Sequence, residues 1–202
     1  MSESIENKVK STIANHKRGK IFFPINFAKI GSSTAIRQAL IRLEKEGFIL
    51  RLAHGIYLYP KTHSTLGILY PSLDEVATAI AKRDKARIIP TGILALNKLG
   101  WSTQVPMNVV YFTDGSERTI KINYGAIKFK RASSKLLSLK SKEMILLIQA
   151  LRELGEKGVT DKIKSRIKEL IATVDSNLVN HDLQLPPQWI TKLITNLQKS
   201  DS

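Results

Sequence analysis

Apolar positions in the first sixty residues follow a helical period and then switch to strict alternation. Ile5, Val9 and Ile13 recur every fourth residue, which predicts an amphipathic helix over SIENKVKSTIANH with Lys8 and Lys10 outside. Gly19 breaks that pattern, and KRGKIFF offers a short extended run up to Pro24. Proline suits a first helical turn, so PINFAKI reads as a compact second helix lending Ile25, Phe27, Ala28 and Ile30 to a small core. A third helix, SSTAIRQALIRLEKEG, is bounded by Ser32 as N-cap and Gly47 as stop, with Ile36, Ala39, Leu40 and Leu43 as its inner stripe. FILRLAHGIYLYP then alternates and breaks at His54-Gly55, the pattern of a two-stranded hairpin.

Beyond it, residues 61–72 read as a connection closed by Pro71. Ser72 and Glu75 form an S-x-x-E capping box for the helix LDEVATAIAKRD, whose Leu73, Val76, Ala77 and Ile80 face inward. RIIP reads as a short buried strand, and TGILALNKLG as a small helix from Thr91 to Gly100. Trp101 is expected against the core, and Ser102 to Pro106 as a turn. Three strands follow, NVVYFT, RTIKI and AIKFKR, the first two joined by a hairpin turn at Asp114-Gly115-Ser116. SKEMILLIQALREL and TDKIKSRIKELIATV are helices, the second with an Ile163, Ile167, Leu170, Ile171 and Val174 stripe. A polar break from Asp175 to Gln184 precedes Pro186-Pro187 and a last helix bearing Trp189, Ile190, Leu193, Ile194 and Leu197.

Helix, two helices joined by a tight Gly-containing turn, then a hairpin is the element order of a winged helix-turn-helix domain. The expected fold is therefore α+β: a winged helix over residues 1–62, then a mixed α/β domain over 63–202 ending in helices. Charge sharpens this. Thirty-two Lys and Arg against 17 Asp and Glu give a formal net charge of +15, which favours a polyanion partner because neutralised phosphates release counterions. The first sixty residues hold 10 of the basic residues and four of the acidic ones, so basicity is spread along the chain.

Groove chemistry then assigns roles. Arg can donate twice to guanine, and Gln can both accept from and donate to adenine, so Arg37 and Gln38 near the start of the third helix are the base-reading candidates. Ser32, Ser33 and Thr34 sit at a helix N-terminus, where phosphates are well received, and Arg42 and Lys45 share their outer side. Lys17, Arg18, Lys20 and Lys29 are candidates for backbone contacts, and Arg51 and His54 lie on or near the wing. Lys82, Arg83, Lys85 and Arg87, with Lys128 and Lys130 on the cationic face of the third strand, offer a secondary basic surface.

Catalytic chemistry is poorly represented. His16, His54, His63 and His181 are scattered and form no metal-binding pair, and there is neither a phosphate-binding glycine loop nor a nucleophile elbow. Ser102, Thr103 and Gln104 have no neighbouring base, and capping accounts for Asp74 and Glu75. The reading is therefore of a protein that is not an enzyme and takes no cofactor or metal. With no Cys, no run of about 18 apolar residues and a polar start, it is expected in the cytoplasm, away from membranes.

The strings RQALIRLEKEGFILRLAHGIYLYP, PSLDEVATAIAKRD, RIIPTGILALNKLGWSTQVPMNVVYFTDGS and IKFKRAS together resemble the AbiEi antitoxin family of bacterial type IV toxin-antitoxin and abortive-infection systems, over about residues 5–170. That resemblance implies a winged helix that binds double-stranded DNA at the operon's own promoter, and a C-terminal antitoxin domain. It also implies a nucleotidyltransferase-like AbiEii toxin encoded next door, without requiring a stable complex. Relatives commonly carry a basic residue at the place of His54 and often an acidic one at the place of Asn26. The alternative reading is a winged-helix protein-interaction module that binds nucleic acid without sequence preference.

Overall fold

Ser4 starts the first helix: its Oγ accepts the Asn7 N–H at 3.1 Å, and α1 runs Ile5–Ala14 with Val9 and Ile13 fully buried. The computed structural model, which describes residues 4–199, continues with strand β1 (Ile21–Phe22) and a turn of 3-10 helix at Pro24–Phe27. Helix α2 (Ser33–Lys45) follows, then strands β2 (Leu50–Ala53) and β3 (Ile56–Leu58). β3 lies between the other two in an antiparallel three-stranded sheet, pairing Phe22 with Tyr57 and Leu50 with Leu58. One core joins these elements: Val9, Ile13, Phe22, Phe27 and Ile49 pack with the α2 stripe of Ile36, Ala39, Leu40 and Leu43.

Two expectations change here. PINFAKI is not a full helix, and of its apolar residues only Phe27 is buried; Ile25 is 64% exposed, Ala28 is exposed and Ile30 half-buried. The Ala28 and Ile30 N–H groups bond three residues back, to Ile25 and Phe27. A period of three puts Ile25 and Ala28 on one side and Phe27 and Ile30 on another, so only one pair can face the core. Residues 61–72, read as a plain connection, contain a second hairpin of β4 (Lys61–His63) and β5 (Gly67–Leu69), paired Lys61 to Leu69 and His63 to Gly67. His63 Nδ1 accepts from the Thr65 and Leu66 N–H groups at 3.2 and 3.4 Å, closing a turn without the usual Asn or Asp.

Helix α3 (Leu73–Asp84) begins with the expected box: Glu75 accepts from the Ser72 N–H at 2.7 Å, and Ser72 Oγ accepts the Glu75 N–H at 3.2 Å. By compactness the chain divides into Met1–Asp84 with Ile120–Ala126, and Lys85–Thr119 with Ile127–Ser202. Residue 62, the expected boundary, falls inside β4, and α3 lies in the first unit with the elements before it. Within it, the Tyr124 hydroxyl donates to the Pro71 carbonyl at 2.7 Å.

The second unit starts from β6 (Ile88–Pro90) and α4 (Gly92–Lys98), which ends at Leu99 and Gly100, the latter at φ +67°. Strands β7 (Asn108–Thr113), β8 (Arg118–Ile122) and β9 (Gly125–Arg131) complete a sheet ordered β6-β7-β9-β8. This corrects the hairpin expected at Asp114-Gly115: β7 neighbours β6 and β9, and β8 turns back into β9 through Asn123 and Tyr124. The Ala132 N–H donates to the Thr113 carbonyl at 2.8 Å, so the ends of β7 and β9 lie side by side, and β9 takes the place beside β7 that a hairpin would have given to β8. Asp114 instead accepts the Arg87 N–H at 2.8 Å.

A short helix α5 (Ser134–Leu137) precedes α6 (Lys142–Leu154) and α7 (Asp161–Ala172). The polar break expected from Asp175 is also overturned: it holds helix α8 (Ser176–Asp182), capped by Asp175 through the Asn177 and Leu178 N–H groups. Helix α9 (Gln188–Lys199) closes the described chain, and Ile190 and Ile194 join Ile167, Ile171 and the buried side of α6 in one core. No described helix is long and apolar enough to cross a membrane.

Candidate nucleic-acid interface

Ser32 begins the surface of interest by taking the Ala35 N–H on its Oγ at 3.3 Å. Gly47 at φ +72° ends it, just past the last turn, where Arg42 and Lys45 suit the negative end of the helix dipole. With the inner stripe of α2 buried, Ser33, Thr34, Arg37, Gln38, Arg42 and Lys45 are all exposed. Arg37, Gln38 and Lys45 make no ion pair or side-chain hydrogen bond among the described residues. Ile41 lies in the same outer stripe, one turn from Gln38 and Lys45, and is half-buried. It was not singled out from sequence, where a lone apolar residue outside the core stripe gives no signal.

Arg42 is differently placed. Its Nη1 meets Glu6 Oε2 of α1 at 3.1 Å, so its charge is partly neutralised and its position is set by the α1–α2 packing. At the tip of the β2–β3 hairpin, Gly55 takes φ +68°, and Arg51 Nη2 donates to His54 Nδ1 at 3.0 Å. The two side chains expected on the wing therefore stand together, both exposed.

The cations before α2 divide in the same way. Arg18 donates to the Pro60 carbonyl at 3.1 Å and lies over the Tyr59 ring at 4.7 Å, which anchors the chain leaving β3. Lys20 contacts the His16 ring nitrogen at 3.1 Å. Lys17 and Lys29 are exposed. Asn26 Oδ1 accepts the Phe23 N–H at 2.7 Å, a role an acidic side chain would fill equally well.

Much of the secondary basic set has structural work. Arg83 pairs with Asp84 at 2.7 Å and stacks over Phe23 at 4.6 Å. Arg87 donates to the Leu137 and Leu139 carbonyls, each at 2.6 Å, fixing the segment after α5. Lys82, Lys85, Lys128 and Lys130 are exposed, the last two alternating with buried Ile127 and Phe129 as β9 requires.

The Ser102–Pro106 turn is held from within: Asn97 Nδ2 donates to the Ser102 and Gln104 carbonyls, and Ser102 Oγ accepts the Gln104 N–H at 3.1 Å. Trp101 packs on the core, while Val105 and Met107 are 81% and 72% exposed. Among the described residues no group of three or more His, Asp or Glu is placed to hold a metal ion. The β4–β5 hairpin adds a surface unmarked in the sequence reading, with Leu66, Ile68 and Tyr70 exposed.

No curated protein matches the chain. Its fold is similar to that of the RV2827C protein from Mycobacterium tuberculosis, known from a crystal structure. The TM-score is 0.55 at 13% identity, over 97% of this chain and 76% of that one. The model of a family of unknown function, DUF6088, matches residues 5–179, and the chain belongs to that family.

Proposed function

We propose that the protein is a DNA-binding transcriptional regulator that represses its own promoter and serves as the antitoxin of a type IV system paired with a nucleotidyltransferase-like toxin. The observation that carries the DNA-binding part is the outer face of α2. Thr34, Arg37, Gln38 and Lys45 stand exposed on a helix whose opposite stripe is wholly buried. In this reading α1, the 3-10 turn, α2 and the three-stranded sheet act as a winged helix, with the 3-10 turn as a shortened first helix of the helix-turn-helix. The major groove of B-DNA admits an α-helix and exposes the donor and acceptor pattern of each base pair. Arg37 and Gln38 read base edges, and Ile41 meets a thymine methyl. Ser33, Lys45 and the Arg51–His54 pair position the backbone. Arg18 and Arg42, already bonded within the protein, contribute charge more than direct contacts.

The antitoxin part rests on the resemblance, whose most specific string runs through α4 and the turn after it, from Thr91-Gly92 to Ser102-Thr103-Gln104-Val105-Pro106. Localisation in the cytoplasm follows from this role.

Fluorescence anisotropy with the duplex upstream of the gene and a shuffled duplex tests the regulator. Arg37→Ala is expected to cost about 1–3 kcal/mol on the upstream duplex and far less on the shuffled one. Unchanged binding in both Arg37→Ala and Gln38→Ala sinks the base-reading assignment. Co-expression with a downstream nucleotidyltransferase-like reading frame, scored for growth, tests the antitoxin role. The exposed Leu66, Ile68 and Tyr70 favour a second reading, a protein-interaction module, and equal affinity for the two duplexes would support it.

A further inference from the structure

The second unit holds a cavity of about 750 Å³, within the range of sites that enclose small organic ligands. Its floor is aliphatic, formed by Ile88, Ile89 and Pro90 of β6 with Ile145 and Leu146 of α6. Its remaining charged lining is cationic throughout: Lys98 at the end of α4, Lys140 and Lys142 on either side of the Ser141 cap, and Arg87. No carboxylate lines it among the described residues.

The polar lining is selective in what it can hold. Most donors at the start of α6 are already taken: Asp182 takes the Lys140 and Ser141 N–H groups, Ser141 Oγ takes that of Met144, and Glu143 bonds its own N–H and the Ser141 hydroxyl. An anion is therefore held chiefly by lysine side chains and not by the helix end. The one neutral polar side chain in the lining, Ser138, donates its hydroxyl to the Lys135 carbonyl. A sugar or a base edge would find little to bond, whereas an alkyl or aryl body would lie on the aliphatic floor.

We propose that this cavity binds an amphipathic organic anion, its apolar body on the β6 and α6 floor and its phosphate or carboxylate head between Lys140 and Lys142. Excluding water from the floor supplies affinity, and the positive charges of Lys140 and Lys142 beside the head group select for negative charge.

Isothermal titration of the full chain with octyl phosphate, octanol and inorganic phosphate tests this. Octyl phosphate is expected to bind about tenfold or more tightly than either the uncharged body or the bare head. Octanoate in the same series shows whether a carboxylate head is accepted as well as a phosphate. Lys140 and Lys142 are exposed, so the Lys140→Ala/Lys142→Ala double variant removes the head contact without touching the core. It should weaken octyl phosphate by about tenfold and leave octanol unchanged. Octanol binding as tightly as octyl phosphate, a double variant indistinguishable from the wild type, or no binding by any of these probes would overturn the proposal. Because the α2 surface is untouched, loss of DNA binding by Arg37→Ala and loss of anion binding by the lysine variant are read separately.

Discussion

Asp182 is fully buried, and its carboxylate is the point on which the start of α6 hangs. Oδ1 accepts the Lys140 N–H at 2.9 Å and contacts His181 Nδ1 at 2.8 Å, while Oδ2 accepts the Ser141 N–H at 2.8 Å. Replacing it by Ala strands one buried and one half-buried backbone N–H, each costing about 1–3 kcal/mol when left unmade, so Asp182→Ala should destabilise the protein by about 2–6 kcal/mol. Against a typical total of about 5–15 kcal/mol that is a large fraction. Asp182→Asn keeps one acceptor oxygen but turns an amide toward a donor, and should cost about 1–3 kcal/mol. Urea unfolding followed by circular dichroism measures both, at constant slope if the unfolding remains two-state. A cost below about 1 kcal/mol for Asp182→Ala would refute the reasoning, because it would mean that water or a shifted chain satisfies both N–H groups. Lys140 and Lys142 flank the residue so anchored, so a folded Asp182→Asn should also bind octyl phosphate more weakly.

Other outcomes are as specific. The Glu143 carboxyl is held below its ordinary value of 4.5, first by its own backbone N–H and then by the Ser141 hydroxyl, with burial opposing and Lys142 assisting. A depressed folded pKa contributes stability that is present above the unfolded value and lost as pH falls through the folded one. The difference in urea midpoint between wild type and Glu143→Gln should therefore be widest near neutrality and close on acidification below 4.5; a pH-independent gap contradicts this. At Gly47, φ +72° is disfavoured for any side chain, although a Cβ there would meet nothing within 4 Å. Gly47→Ala should cost about 1–2 kcal/mol from backbone strain alone, and an unchanged thermal midpoint would show that the α2 end relaxes instead.

Local interactions made much of the fold legible. The α2 stripe, its Ser32 cap and Gly47 stop, the Ser72–Glu75 box and the turn at His54-Gly55 each depend on residues within about four positions of one another, where period and capping act. The sequence therefore determined by itself where α2 begins and ends and which of its side chains face outward. Even where reading failed locally, the cause was a period mistaken for another: three per turn at Pro24–Phe27 in place of 3.6. Asp175 caps α8, but that helix has little apolar periodicity to announce it, and the stretch reads as a polar break.

Tertiary structure alone decided the rest. β9 separates β7 from β8, and that pairing leaves no mark in the Asp114-Gly115 turn signal. Arg18, Arg42 and Arg87 look like free cations in the sequence, yet carbonyls 42, 50 and 52 residues distant and a carboxylate 36 residues distant claim them. Asp182 lies in a polar stretch that suggested solvent and is instead fully buried. The cavity gathers Arg87, Lys98, Lys140 and Lys142 from separate elements. A charge carries no period, so whether it meets water, a backbone carbonyl or a cavity is settled only when distant segments pack and compete for its hydrogen bonds.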